Sequence, residues 1–437
     1  MNVTFCWTTL VVVVLSSISS LAHAQTYPFN SVQNPATNQR RNSDYFAPAA
    51  KASWASYKYD QPDQSSPSGL AQGPPYSTPA GPMGSLPSSD AYSLTDISCG
   101  SATCGPVLCA PCDSRCGWFA SAGGLVMTRD DENFLPFSYA TGNEAVQLVT
   151  NRDADFSAAG GVEARLGRYF CCGQSSLEFV FWAVIPGSQS YQLLGSDVVG
   201  DLNGIYNWDQ LDYNGGTADA FVNNAMVHRI QRDFEFQNYE INWNTYLLPP
   251  GCGALQVQTI AGFRVFRFGE TIDFGADTAD TVFTGAADEI HYNINVDNRL
   301  YGFQLGTRNE YRFSQRWSFT ARILAGIFAN DVYHQSRIGG AAGDAVVNNG
   351  PNNGQAFNVS GSGTNLSLLG ELDFGLMFRP TYNWQISGGY RAMGVSGLAL
   401  ASNQLYHDLR GVNDVQDIEV NGDLILHGGY FQLSYNY

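Results

Sequence analysis

Lysine is almost missing from this chain: of 437 residues only Lys51 and Lys58 are lysine, and the formal charge is −17. No basic stripe is available to neutralise phosphates, which argues against nucleic acid as a partner. Long apolar runs are missing too. After the first 24 residues nothing approaches the ~20 consecutive apolar residues of a spanning helix. Familiar catalytic signatures are also absent: there is no G-x-S-x-G, no H-E-x-x-H and no Gly-rich phosphate loop, and the six histidines are scattered. What the chain has instead is 46 glycines and 13% aromatic residues, a composition of strands and turns.

Residues 1–24 read as a secretory signal, with "LVVVVL" as the apolar heart and Ala22-His23-Ala24 as a small-x-small cleavage site. The first residues lack the usual Lys or Arg, and a single membrane anchor is the alternative. Residues 25–98 hold ten of the 18 prolines amid Ser, Gln and Ala, a leader too poor in apolar surface to offset ordering entropy. A Cys-rich segment, 99–116, carries Cys99, Cys104, Cys109, Cys112 and Cys116. From Gly117 to Tyr437 short alternating segments take over.

Ten such segments stand out, at about 117–128, 155–168, 175–185, 234–247, 254–268, 298–313, 316–328, 366–379, 383–394 and 427–437. Connections after the even-numbered ones are short ("YFCCGQ", "LPPGCG", "SQ", "PTY"). Those after the odd-numbered ones run from roughly 26 to nearly 50 residues. A soluble sandwich has no reason to sort its loops this way. A membrane barrel does, because short turns face the periplasm and long loops the exterior. The expected fold is therefore all-β: a transmembrane antiparallel up-and-down barrel of ten strands, with eight to twelve allowed. A secreted β-sandwich is the competing fold, since alternation alone does not name the solvent.

Within the segments one face is apolar and suits outer-membrane lipid, with Trp118, Trp243, Trp317, Phe378 and Trp384 placed to form an interfacial girdle. The other face holds six acids (Glu163, Glu178, Glu240, Glu310, Glu371, Asp373) and six arginines (Arg165, Arg264, Arg308, Arg312, Arg322, Arg391). Ten strands enclose little room, because eight are just filled by side chains. Two readings follow: a narrow polar path for small or cationic solutes, or a salt-bridged plug in a structural or adhesive surface barrel.

The long loops are acidic, with Arg129, Arg152, Arg337 and Arg410 among their few arginines, and are expected to form a solvated face that repels anions. Divalent cations could bridge such carboxylates. "DIEVNG" (Asp417, Glu419, Asn421) starts like a calcium loop, but its twelfth position is Gly428. No resident cofactor or metal is expected. Among ten-stranded barrels the omptin-type proteases use acids and a His at the outer rim. Comparable material here is Asp153, Asp155 and His407-Asp408, and the expectation is that the chain is not an enzyme.

Removing Cys6 with the signal leaves eight cysteines, adding Cys171, Cys172 and Cys252 in two short turns. All eight would face one oxidising compartment, so disulfides are the leading reading. Cys109-x-x-Cys112 as half a zinc site, or a disulfide to a cell-wall partner, are the alternatives. The chain closes on "FQLSYNY". Phe431, Leu433, Tyr435 and Tyr437 would face lipid on a strand that shuts the barrel against the first one. The terminal Tyr suits the aromatic end that barrels offer to their insertion machinery.

The signal, the Pro- and Cys-rich leader, "CGWFASAGGLVMTRD", "AAGGVEARLGRYF" and the aromatic last strand together resemble the outer-membrane β-barrel porins of planctomycete-type bacteria, over about 117–437. The resemblance implies location and shape more than it implies transport.

Overall fold

A computed structural model describes residues 117–130, 134–156, 158–170, 173–247 and 253–437. The signal, leader, Cys-rich segment and every cysteine lie outside these residues, so the disulfide and zinc expectations do too. Among the described residues ten long strands close on themselves. They are β1 (Trp118–Arg129), β2 (Ala159–Phe170), β3 (Ser175–Leu194), β4 (Val227–Tyr246), β5 (Leu255–Asp277), β6 (Glu289–Arg312), β7 (Trp317–Gly340), β8 (Asn358–Phe378), β9 (Trp384–Leu398) and β10 (Gly422–Asn436). Each strand pairs antiparallel with the next, and β10 pairs with β1 from Phe119↔Asn436 to Arg129↔Leu426. Closure leaves no edge in lipid, where an unpaired backbone group costs several kcal/mol. The closing strand turns Phe431, Leu433 and Tyr437 outward, and Tyr435 packs at 4.8 Å on Trp384 and 4.7 Å on Tyr437.

One cross-strand row marks where the apolar outer face ends. Gln237, Arg267, Arg299, Asp331 and Thr364 are register partners on β4 to β8. The next outward-facing row toward the short turns is Tyr239, Val265, Tyr301, Ala329 and Leu366. At the short-turn end lies a girdle in which Trp243 stacks on Phe170 at 5.6 Å and Trp317 meets Phe378 at 4.7 Å. Trp118, Trp243, Trp317 and Trp384 are all exposed there, as rings at a membrane interface are.

The strands do not stop at that row. β4 to β8 run on for up to ten or so residues beyond it, which corrects the reading of 269–297 and 329–365 as loops. Much of both stretches is paired strand, and the β5–β6 connection shrinks to residues 278–288. The wall is therefore tall on the β4–β8 side and low where β9, β10, β1 and β2 end. The long connections fold into its mouth. Segments such as 134–156, 202–225, 345–359 and 399–420 bury Phe137, Tyr206, Trp208, Leu211, Val347, Phe357, Leu409 and Val412 against Ile272, Phe274, Tyr292, Ile294 and Val332 of the tall strands. Each large apolar side chain so buried is worth about 1.5–3 kcal/mol. The external segments thus form a packed head.

Candidate functional site

Toward the exterior, β5 sets the layers of the lumen in order: Arg264, then Phe266 and Phe268, then Glu270, then Ile272, Phe274 and Ala276, all buried. The same alternation on every strand brings the predicted charged residues together. Arg264 donates to its register partner Glu240 on β4 and, at 2.6 Å, to Glu371 on β8. Arg322 on β7 pairs with Glu371 and lies 3.4 Å from Asp373. Arg391 on β9 reaches Glu163 of β2 at 2.8 Å, Asp373 at 3.3 Å and Glu371 at 3.6 Å. Arg165 binds Glu163 at 2.5 Å and lies 3.5 Å from Glu178, which takes Arg308 of β6 at 3.1 Å.

These contacts make one connected network of five carboxylates and five guanidiniums with zero net formal charge. Arginine suits it because its planar fork meets several acceptors and keeps its proton. Carboxamides satisfy further lone pairs: Asn238, Asn242 and Gln304 donate to Glu240 at 2.9, 2.8 and 2.9 Å. The remaining predicted pair, Glu310 and Arg312, lies apart at the short-turn mouth. There Glu310 takes Arg312 at 2.8 Å and Arg379 at 2.8 Å. Arg379 was not anticipated, because it sits at the end of its segment where parity is hard to assign.

Above the network the lumen turns apolar. Trp182, Phe236, Phe266, Phe268, Leu300, Phe328, Leu369, Met393, Leu424 and Leu426 are at most 3% exposed. Phe236 stacks on Phe268 at 5.0 Å, and Trp182 lies 6.0 Å from Phe266. Gly302 makes room for this: a side chain there would collide with the Phe328 ring and the backbone around Ile327. Water reaches almost none of these side chains.

A third tier pins the head. Arg129 and Arg232 flank Glu270 at 2.9 and 2.7 Å, the other Glu270 oxygen accepts from Ala401 N at 2.9 Å, and Arg232 donates to the Asn151 carbonyl at 3.1 Å. Asn298 clasps the backbone of Ala399, accepting from its N–H at 2.9 Å and donating to its carbonyl at 2.8 Å. Arg129 is thus an inward lumen residue. The expectation of uniformly solvated loop acids is corrected here as well. Glu270, Asp277 and Glu289 are 1% exposed: strand alternation turns Glu270 inward, while Asp277 and Glu289, paired at the outer ends of β5 and β6, accept backbone N–H groups of the 278–288 connection that covers them. Glu289 accepts backbone N–H groups of Thr284, Gly285 and Ala286, which outweigh its burial and hold its carboxyl below the usual range.

In the head, the Val222 carbonyl can only accept, so His228 carries its proton on Nε2 (2.9 Å) and takes the Ser138 hydroxyl on Nδ1 (2.6 Å). Burial pushes His228 down to about 4, and His334 likewise to about 4. The residues compared with an omptin-type rim each engage other groups. Asp153 accepts from Thr150, Asp155 from Phe156 N, Asp408 from Arg410, and the His407 ring rests 5.1 Å from Tyr206. Asn421 donates to Glu419, and among the described residues no three His, Cys, Asp or Glu side chains group to hold a metal.

Residues 144–419 match the family described as "Putative beta barrel porin-7". Among solved structures, the outer membrane protease OmpT from Escherichia coli is similar at 12% identity and a TM-score of 0.37, covering 74% of this chain and 98% of that one. The outer membrane protein OprG from Pseudomonas aeruginosa is similar at 9% identity and 0.27, covering 74% and 98%. A major outer membrane protein from Thermus thermophilus follows at 9% and 0.25, covering 72% and 99%. No curated protein matches the sequence.

Proposed function

The chain belongs to the beta barrel porin-7 family of outer-membrane barrels, and from that premise we propose that it acts as a sealed anchor displaying a folded acidic head at the cell surface. The observation that carries this reading is the aromatic layer around Trp182, Phe266 and Phe328, stacked on a neutral salt-bridge network. Of the two readings open at the sequence level, a narrow solute path or a plugged structural barrel, the layers favour the second. A permeating ion would have to displace a packed apolar core and then exchange partners inside an already neutralised network. Both steps cost several kcal/mol.

The head supplies what such an anchor would present. Asp197, Asp201, Asp209, Asp212, Asp280, Asp408, Asp414, Asp417 and Glu419 are exposed on it, a surface suited to cationic matrix or to divalent ions shared with a neighbour. Lipid outside, the insertion machinery at Tyr437 and a disulfide-linked or cell-wall partner on the periplasmic side complete the proposed set of contacts.

The test is electrical. Purified full-length protein reconstituted in planar bilayers is expected to give no conductance steps. Reproducible steps from folded wild-type protein would overturn the sealed reading in favour of a narrow pore.

A further inference from the structure

One concavity of the barrel wall lies on its lipid side. It is a trough of about 990 Å³ crossing β6 to β10. Its floor is one register row, Leu305–Ala325–Gly370–Gly394–Ile425, in which three consecutive strands contribute only Ala or Gly. The row toward the exterior is Phe303–Ile327–Leu368–Ser396–Asp423, and the row toward the short turns is Thr307–Ile323–Leu372–Ala392–His427. A Cβ added at Gly370 or Gly394 meets nothing within 4 Å. The two glycines are therefore not demanded by packing, and they keep the floor low.

The trough is polar at one end only. On β6 and β7 its walls are Phe303, Leu305 and Ile327, each more than 60% exposed. Ala325 lies near the middle of the apolar stretch of β7, so this end is at mid-bilayer depth. On β10, Asp423 is exposed one residue from the strand's outer end. Ile425 N donates to Asp130 at 2.8 Å, adding a second carboxylate to that edge. His427, hydrogen-bonded to Tyr390 at 2.5 Å, faces the same side. No lysine or arginine lines the trough.

A slot that begins at mid-bilayer, rises to the outer rim, and ends beside acids without a basic residue fits one kind of occupant. We propose that it holds an acyl chain of an outer-leaflet lipid whose ammonium-bearing headgroup meets Asp423. The chain fills the space above Ala325, Gly370 and Gly394, where packing against a low floor gives more contact than an ordinary convex wall. The acidic edge selects the headgroup.

The full-length protein in detergent, given equal phosphatidylethanolamine, phosphatidylglycerol and phosphatidylcholine and examined by native mass spectrometry, provides the test. The wild type is expected to retain phosphatidylethanolamine preferentially. The double variant Gly370→Leu/Gly394→Leu should keep its heat-modifiable barrel, since both positions have open space, and lose that lipid by at least about tenfold. Asp423→Asn should keep bound lipid and lose the preference for phosphatidylethanolamine over phosphatidylglycerol. Equal retention by wild type and the double variant would overturn the proposal. So would the absence of headgroup preference in the wild type, or a dimer in place of bound lipid that the double variant abolishes.

Discussion

Arg264 on β5 and Glu371 on β8 meet across the barrel at 2.6 Å, with both side chains fully buried. Their contact joins one wall of the lumen to another, and each has further partners, Glu240 for the arginine and Arg322 with Arg391 for the acid. Removing one member therefore strands others.

Arg264→Met should lower stability by about 3–5 kcal/mol, because two buried carboxylates lose a shared partner. Arg312→Gln, at the partly exposed mouth, should cost no more than about 1 kcal/mol. The midpoint of urea unfolding, read from the heat-modifiable band on gels, checks both. Equal midpoints for the two variants would mean the network is not what holds the lumen together.

Asn298→Ala should release the head locally while leaving the barrel intact. The buried N–H and C=O of Ala399 would each lose a partner, at roughly 1–3 kcal/mol per group. Limited proteolysis should then cut within 399–421 in the variant and spare the wild type.

Acid should loosen the head before the barrel. His228 and His334 are held near 4 in the folded chain, against about 6.5 when unfolded. The unfolded head binds more protons between those values, so its stability falls as pH drops through this window, by up to roughly 3 kcal/mol per histidine. His291 acts oppositely: burial lowers it, but its hydrogen bond to Asp273 prevails and raises it overall, a contribution lost as pH rises. Hydrogen-exchange protection factors in 202–225, corrected for the slower intrinsic exchange in acid, should fall from pH 7 to pH 4.5, and less so in His228→Gln.

A polar tag after Tyr437 should impair assembly, since Tyr437 N donates to the Trp118 carbonyl at 2.8 Å where the first and last strands meet. The ratio of folded to unfolded band in outer-membrane fractions reads this directly. Normal insertion of the tagged chain would refute the proposed role of the aromatic terminus.

How much of this was legible in the sequence depends on what lipid demands. Within the membrane an outward residue must be apolar, so Tyr301, Phe303 and Leu305 alternate with Gln304 and Arg308 and the strands announce themselves. Above the Arg267–Arg299 row that demand ends. β4 continues outward through Glu235, Asp233, Gln231 and Arg229, and such a stretch reads as loop. For the same reason Arg232 and Glu270 fall outside the ten segments legible in the sequence, although their parity places them inside. The aromatic layer was hidden for the converse reason. Phe266 and Phe268 face inward at the height where Arg267 faces out, so the apolar side changes faces and a single alternation no longer tells lumen from lipid.

The uneven height of the wall sets where the surface can change. On the tall side, β4 to β8, neighbouring strands stay register-paired up to the connections at 278–288 and 341–357, and an inserted peptide would break register. On the low side the chain leaves the barrel early and passes through turns such as Thr141–Gly142, where Gly142 has a positive φ and open space around it. Foreign epitopes should be accepted there and rejected along the tall strands, which makes one flank of the molecule evolvable and the other fixed.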